Sequence, residues 1–256
     1  MFKAIRIAVL LLILTFVVLS TWLSQSRSTD WNNSLWVKIY PINADGSEAT
    51  NHYIESLDVR TFEEIESFVA GEAQRYGKTL SRPVRMELGE AISEQPPTLD
   101  GTPSVLDVML WSLKMRWWVG SVTNGQDDIE PDVSIFVRYH QAEGVFVLED
   151  SVGVQKGMFG IVNAYTGRRH KGRNNVIIAH EFFHTLGASD KYELSTGQPL
   201  APDGLAEPDR TPLYPQRFAE IMGGRIALGT DDAVIPQSLK FARIGLLTAS
   251  EIRLVN

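Results

Sequence analysis

The chain has no cysteine among its 256 residues. Disulfide bonds are therefore excluded, and so is a structural metal site built from thiolates. Positive charge is also in short supply, because 24 Lys and Arg face 31 Asp and Glu, for a net charge of −7. This balance argues against a nucleic-acid-binding surface. Histidine is scarce as well, with five in the whole chain, so a regular spacing between two of them is informative.

The composition is that of a globular protein, with 44% hydrophobic and 21% charged residues. A chain of this length allows one hydrophobic core of about two hundred residues. We expect that core in a single domain over residues 35–256, joined by a polar tether at 25–34 to an N-terminal segment at 1–24.

The N-terminal segment is an apolar run from residue 7 to residue 19, extendable to Leu23, behind Lys3 and Arg6. Its length is sufficient to span a bilayer, and no small-x-small cleavage site follows it. We therefore predict an uncleaved transmembrane signal-anchor, with secretion after signal cleavage as the alternative. The basic residues precede the apolar run, which places the following domain in the periplasm or outside the cell.

The most informative pattern is His180-Glu181-Phe182-Phe183-His184, on a helix predicted over residues 176–186. Residues four apart share one face of a helix, so both imidazoles can reach one metal ion. Glu181 lies beside that ion, where its carboxylate can take a proton from water. Two histidines and this glutamate predict a Zn²⁺ site with Glu181 as the general base.

Zinc in a catalytic site requires a third protein ligand, and Asp190 is the candidate. Gly187 stands where the helix is expected to end, because glycine accepts the left-handed conformation of a helix C-terminus. The chain can then turn back and bring Asp190 to the metal.

The extended pattern, HExxHxxGxxD from His180 to Asp190, resembles that of the metzincin zinc peptidases. Most of these carry His as the third ligand, whereas the small bacterial snapalysin-type peptidases carry Asp there, as this chain does. The resemblance implies a methionine turn beneath the metal, and we assign Met222 to it, within residues 220–224. It also implies an α+β, zincin-like fold: a twisted mixed sheet, an active-site helix and a smaller C-terminal subdomain.

The strands and helices predicted along the chain agree with that fold. Strands are predicted at 36–40, 83–88, 133–139, 144–148, 151–155 and 159–165, with a helix at 62–77. A further helix opens at Ser104, and we expect its apolar side chains to pack on the core. Those side chains are Leu106, Met109, Leu110, Leu113, Trp117 and Trp118. Strand 151–155 is the expected antiparallel edge, to which a peptide substrate adds.

Several alternatives remain open from the sequence. Tyr192 and Tyr214 are nearby phenols that can hydrogen-bond an oxyanion or simply pack. A gluzincin-type site would take Glu207 or Glu220 as third ligand. A non-catalytic, metal-containing module that binds peptides is the alternative from another class. Calcium is not expected, because the acidic pairs at 127–128 and 231–232 match no calcium loop.

The expected function is zinc-dependent peptide hydrolysis, with endopeptidase action the leading expectation.

Overall fold

The computed structural model describes residues 29–99, 104–123, 125, 130–142, 152–154 and 158–255. Its centre is a five-stranded sheet in the order β2-β1-β3-β5-β4, in which the first four strands are parallel and β4 runs antiparallel to β5 at the edge. The predicted mixed sheet is therefore confirmed. The strands are β1 (Leu35–Asn43), β2 (Val84–Leu88), β3 (Val133–His140), β4 (Val152–Val154) and β5 (Phe159–Tyr165).

Within the described residues, five α-helices accompany the sheet: α1 (Glu48–Glu55), α2 (Glu63–Arg75), α3 (Val105–Thr123), α4 (Lys171–Leu186) and α5 (Leu246–Glu251). Two small strand pairs follow α4 in the chain. The parallel pair is β6 (Ala219–Glu220) with β9 (Ala242–Arg243), and the antiparallel pair is β7 (Ile226–Ala227) with β8 (Ala233–Val234). Helix α1 was not expected, although Ser47 caps its start by accepting a hydrogen bond from the Thr50 amide.

The sheet has a hydrophobic core on each face because side chains alternate along a strand. Val37 and Ile39 of β1 point to the face covered by α2 and α4, whereas Tyr40 and Ile42 point to the face covered by α3. The arrangement is therefore helix, sheet, helix. Because α4 lies directly on β5, the sheet positions the predicted metal helix.

The first strand does not end at Pro41 as predicted but continues to Asn43. Pro41 lacks an N–H, yet its carbonyl accepts a hydrogen bond from the Ile92 amide (2.9 Å). The backbone nitrogen and carbonyl of one strand residue face the same neighbouring strand. For Pro41 that neighbour would be β2, but β2 ends at Leu88, which pairs with Ile39. The proline therefore removes no ladder hydrogen bond.

Helix α4 begins at Lys171, five residues before the predicted start, and ends at Leu186 as expected. The predicted strand at 144–148 and the N-terminal segment lie outside the described residues. Among the helices that the structure describes, none combines the length and hydropathy that crossing a bilayer requires.

Helix α3 departs from the expectation of core packing. Trp118 is buried against the sheet together with Met115. The other five side chains named for this helix are exposed, namely Leu106, Met109, Leu110, Leu113 and Trp117. The expectation was wrong for them because α3 is the outermost of the described layers on its face, and its apolar residues occupy both sides of the helix.

Candidate metal centre

Helix α4 carries the three central residues of the candidate site. His180 and Glu181 are buried, and His184 is half-buried. The helix ends at Gly187, which has a φ of 107°, and the Gly187 amide donates to the His184 carbonyl (3.1 Å). A residue with a side chain is strained in this left-handed conformation, so glycine permits the sharp reversal that follows.

That reversal brings Asp190 to the two histidines. Its Oδ1 lies 3.1 Å from His180 Nε2 and 3.0 Å from His184 Nε2, and the two Nε2 atoms are 3.1 Å apart. In a tetrahedral zinc site with bonds of about 2.0–2.1 Å, neighbouring ligand atoms are roughly 3.3 Å apart. The three atoms therefore form a triangle of nearly the size that zinc requires.

Backbone carbonyls fix the orientation of both imidazole rings. His180 Nδ1 lies 2.9 Å from the Ile221 carbonyl, and His184 Nδ1 lies 2.8 Å from the Ala188 carbonyl. A carbonyl only accepts, so each Nδ1 carries the hydrogen and donates it. In the neutral rings each Nε2 then has a lone pair directed at the other donor atoms. This outer support is typical of histidines that bind a metal.

The charges of the site also suit a cation. Burial raises the pKa of Asp190, but the hydrogen bonds from His180 and His184 outweigh it and hold that pKa well below its usual value. Burial lowers the pKa of His184, but the hydrogen bond to Asp190 and the charge of Glu181 outweigh it and raise that pKa. In the metal-free chain a proton on Nε2 of His184 supplies the positive charge that the carboxylate favours. A metal ion would take the place of the Nε2 hydrogens, so that two lone pairs and the carboxylate would be directed at one point.

The site is open on the side of Asp190. The side chain of Asp190 is 35% exposed, whereas those of His180 and His184 are 11% and 17% exposed. Solvent or a substrate therefore has access to the point where the three donor atoms meet, as a catalytic zinc site requires for its open position.

Glu181 lies between the cluster and the sheet. His180, Glu181 and His184 each offer a ligand atom, and these atoms are within 4.8 Å of one another. Gly160 of β5 is the neighbour of Glu181, because a Cβ added at Gly160 would lie 3.7 Å from Glu181 Cβ. Gly160 pairs with Gly153 of the edge strand β4. Among the described strands β4 is the outermost and runs antiparallel to β5, as expected, and it lies one strand away from Glu181.

Met222 lies in a turn that follows β6, and its side chain is fully buried. The turn contacts both parts of the donor cluster. The Ile221 carbonyl accepts from His180, and the Met222 carbonyl accepts from the Lys191 amide (2.9 Å), next to Asp190. The Met222 turn therefore lies against the donor cluster.

Glu220 organises this turn instead of binding at the donor cluster. Its Oε2 accepts from the amides of Met222 (2.7 Å) and Gly223 (2.8 Å). Its Oε1 accepts from the Gly245 amide (2.9 Å) and Thr248 Oγ1 (2.7 Å). Burial raises the pKa of Glu220, against these donated hydrogen bonds. Four donors occupy the carboxylate, so the structure favours Asp190 over Glu220 as third ligand.

A second carboxylate holds the residues on either side of Asp190. Glu251, at the end of α5, accepts from the Ser189 amide (3.1 Å) and from Ser189 Oγ (2.6 Å). It also forms an ion pair with Lys191 (2.7 Å), whose side chain is only 3% exposed. Glu251 of α5 therefore holds both chain neighbours of Asp190, Ser189 and Lys191, in place.

The remaining candidates differ in their placement. The ring of Tyr192 is centred 6.2 Å from that of His180, so this phenol lies beside the cluster. Tyr214 is half-buried, and in the described part of the chain no hydrogen bond or ring contact joins it to the donor residues. Glu207 forms an ion pair with Arg217 and accepts from its backbone amide, which leaves it a structural role in the proline-rich loop.

Sequence reasoning missed two positioning residues, Glu251 and Lys191, and assigned Glu220 only an alternative role as ligand. Glu220 carried a usable signal, because a lone glutamate within the apolar stretch 219–222 implies a buried partner. Glu251 carried none, since its contacts with Ser189 and Lys191 span about sixty positions in the chain.

No protein-family model matches the sequence, and no curated protein matches it. Among solved structures, a chain from "Structure of a chaperone-substrate complex" is similar with a TM-score of 0.41 and 14% identity. The alignment covers 86% of this chain and 34% of that one. The chain thus spans about a third of the length of that structure.

Proposed function

We propose that this protein is a metzincin-like zinc metallopeptidase. The observation that carries the proposal is the convergence of His180 Nε2, His184 Nε2 and Asp190 Oδ1 within 3.1 Å of one another. Both histidines are oriented by carbonyls from outside the helix, and the point of convergence opens to solvent. We assign zinc to this point, with these three residues as its ligands, because two imidazoles and a carboxylate are a donor set that zinc favours.

When bound, zinc supplies a Lewis acid that polarises a peptide carbonyl and makes water a stronger acid. Glu181 follows His180 on the same buried helix, and we assign it the proton transfers. Its carboxylate accepts a proton from the attacking water and then gives that proton to the departing amine of the cleaved peptide. Tyr192, beside His180, is the phenol placed to donate a hydrogen bond to the oxyanion.

The proposed substrate is an extended peptide that adds to the edge of the sheet. Strand β4 is the edge strand of the sheet formed by the described residues, and the outer backbone groups of such a strand provide a template for pairing. Gly153 in β4 pairs with Gly160, and Gly160 adjoins Glu181. A peptide paired with β4 would thus lie close to the general base, which favours endopeptidase action.

The overall arrangement agrees with this proposal at a coarser level. The sheet has four parallel strands and an antiparallel edge, α4 lies on the sheet beside that edge, and the Met222 turn lies against His180. We propose a zincin-like fold on this basis. We further propose that the N-terminal segment anchors the domain at the outer side of a membrane.

The first test is the zinc content of the full chain after dialysis against a weak chelator. We expect one zinc ion per chain in the parent and its loss in Asp190→Ala. Asp203→Ala is the matched control, because Asp203 is an exposed aspartate in the loop that follows. Zinc retained by Asp190→Ala would contradict the assignment of the third ligand.

The second test separates an enzyme from a metal-containing module that only binds peptides. Glu181→Gln keeps the shape of the side chain but cannot act as a base, so we expect peptide hydrolysis to fall about 10²- to 10⁴-fold while zinc stays bound. Glu90→Gln, an exposed position far along the chain, should leave hydrolysis unchanged. Peptide binding without hydrolysis in the parent would favour the binding module.

A further inference from the structure

The outer face of helix α3 is an apolar stripe without a protein partner in the described part of the chain. It consists of Leu106, Met109, Leu110, Leu113 and Trp117, spaced as one face of a helix. Leu113 is 64% exposed and Trp117 is 76% exposed, values that a stably solvated helix rarely shows for residues of this size. In the C-terminal half of the same helix the opposite side is already buried, through Met115 and Trp118. The stripe is therefore additional to the helix's contribution to the core.

A basic residue lies on each flank of the stripe. At 100° per residue, Lys114 lies on one flank of the stripe and Arg116 on the other, and both are exposed. The only acidic residue of the helix is Asp107, which is engaged at the helix start with Ser104 (2.6 Å). An apolar stripe between basic flanks is typical of a helix that lies in the interface of a bilayer with anionic headgroups.

The start of the described chain adds an independent argument. Trp31 is buried in the domain, and its indole donates to the Ile252 carbonyl (2.8 Å). Only five residues lie between Leu23, the end of the apolar N-terminal run, and Thr29, so the two ends are at most about 20 Å apart. If that run is inserted, the tether keeps the domain within reach of a membrane surface. Trp31 packs in the core on the α2 and α4 side of the sheet, so the stripe and its basic flanks, and not the tether, select the α3 face.

We propose that the outer face of α3 docks on the phospholipid surface, with the stripe in the headgroup region and Lys114 and Arg116 toward the phosphates. Trp117 would lie at the level where tryptophan side chains are enriched in membrane proteins. Helix α3 would then be a second contact with the bilayer, parallel to its plane. This proposal does not depend on zinc or on peptidase activity.

The test uses the absence of cysteine in the chain. Leu113→Cys and Ser67→Cys are prepared in the full chain, labelled with the polarity-sensitive dye NBD and reconstituted into phosphatidylethanolamine and phosphatidylglycerol vesicles. Ser67 is exposed on α2, which covers the opposite face of the sheet. A membrane that contacts α3 therefore cannot reach Ser67. Thermal unfolding of both labelled chains should match that of the parent.

We expect the emission of the dye at position 113 to shift to the blue and to be quenched by spin-labelled lipids. Labels near the headgroups should quench more strongly than labels deep in the bilayer, because an interfacial helix penetrates only about 5–10 Å. The dye at position 67 should remain unquenched. The double variant Lys114→Glu, Arg116→Glu should lose this quenching, and the loss should be greater on anionic than on zwitterionic vesicles.

Three outcomes would overturn the proposal. Absence of lipid quenching at both positions would show that α3 does not touch the membrane. A blue shift at position 113 that grows with protein concentration, without lipid quenching, would assign the stripe to a second copy of the chain. Equal quenching at both positions would indicate contact without a defined orientation.

Discussion

The candidate metal centre has two halves that are built in different ways. The helical half, His180, Glu181 and His184, lies within two turns of α4, where local hydrogen bonds fix its geometry. The loop half consists of Asp190 and the Met222 turn, which lie about thirty positions apart in the chain. Two carboxylates, Glu220 and Glu251, hold the loop half through hydrogen bonds to backbone amides and side chains.

The comparison shows where the site is vulnerable. A helix keeps its histidines at the correct spacing even when a packing contact is lost, because the i to i−4 hydrogen bonds remain. A loop has no such repeating hydrogen bonds. Removal of one buried carboxylate therefore leaves several backbone amides without their hydrogen-bond acceptor at the same time. We therefore expect damage to the loop half to affect zinc affinity, and damage to the helical half to affect mainly stability unless a ligand itself is removed.

The largest effect should come from Glu220→Ala. The change leaves the Met222 and Gly245 amides and the Thr248 hydroxyl without an acceptor, at about 1–3 kcal/mol for each group before relaxation, whereas the Gly223 amide keeps its bond to the Glu220 carbonyl. We expect the free energy of unfolding to fall by about 3–5 kcal/mol. We also expect weaker zinc binding in the chain that remains folded. Urea unfolding and competition with a chromophoric chelator measure the two quantities.

Ile178→Ala is the matched control for Glu220→Ala. Ile178 is fully buried on α4, and its truncation should cost a similar amount, about 2–5 kcal/mol. Under conditions where both variants are folded, Ile178→Ala should keep the zinc affinity of the parent. Equal losses of zinc affinity in the two variants would contradict the expectation that zinc affinity depends more on the support of the loop half than on the packing of the helical half.

A smaller effect is expected for Gly223→Ala, which tests the close approach beneath the Met222 turn. A Cβ at position 223 would lie 2.4 Å from the Gly204 carbonyl oxygen, so the two backbone segments must separate. Such overpacking costs about 1–3 kcal/mol. We expect a lower melting temperature and weaker zinc binding, because the Met222 carbonyl supports the chain at Lys191. Gly71→Ala, where no atom beyond the adjacent backbone of its own helix lies within 4 Å of the added carbon, should show neither change.

The smallest effect, and one that depends on pH, is expected for Glu251→Gln. Burial raises the pKa of Glu251, but the hydrogen bonds from Lys191 and Ser189 outweigh it and lower that pKa below its ordinary value of 4.5. A carboxyl whose folded-state pKa is lowered stabilises the fold fully above its ordinary pKa, and this contribution is lost as the pH falls through the folded-state value. The substitution should therefore cost about 1–2 kcal/mol at neutral pH and progressively less below about pH 4.

Urea unfolding of the metal-free chain at several pH values measures this difference. Metal-free protein is required because acid also releases zinc from histidine ligands. Glu90→Gln, at an exposed position, supplies the reference curve. A gap between Glu251→Gln and the parent that stays constant down to about pH 3 would contradict the assigned ion pair with Lys191.

Most of the helical half was predictable from the sequence, since spacing alone places His180 and His184 on one face. The end of α4 was predictable as well, because Gly187 is the residue that a left-handed helix end requires. The start of α4 was not, because Lys171–Arg173 carries no apolar periodicity. The continuation of β1 through Pro41 was not predictable either, because it depends on the end of the neighbouring strand β2 at Leu88.

The sequence by itself determined the donor residues, the reversal at Gly187 and the alternation that assigns side chains to the two faces of the sheet. These follow from periodicities and conformational preferences that act over a few residues. The tertiary structure alone decided that Glu220 and Glu251 hold the loop half, and that the stripe on α3 is exposed. Hydrogen bonds between distant segments and the order of layers around a sheet depend on how the whole chain packs, and no local pattern encodes them.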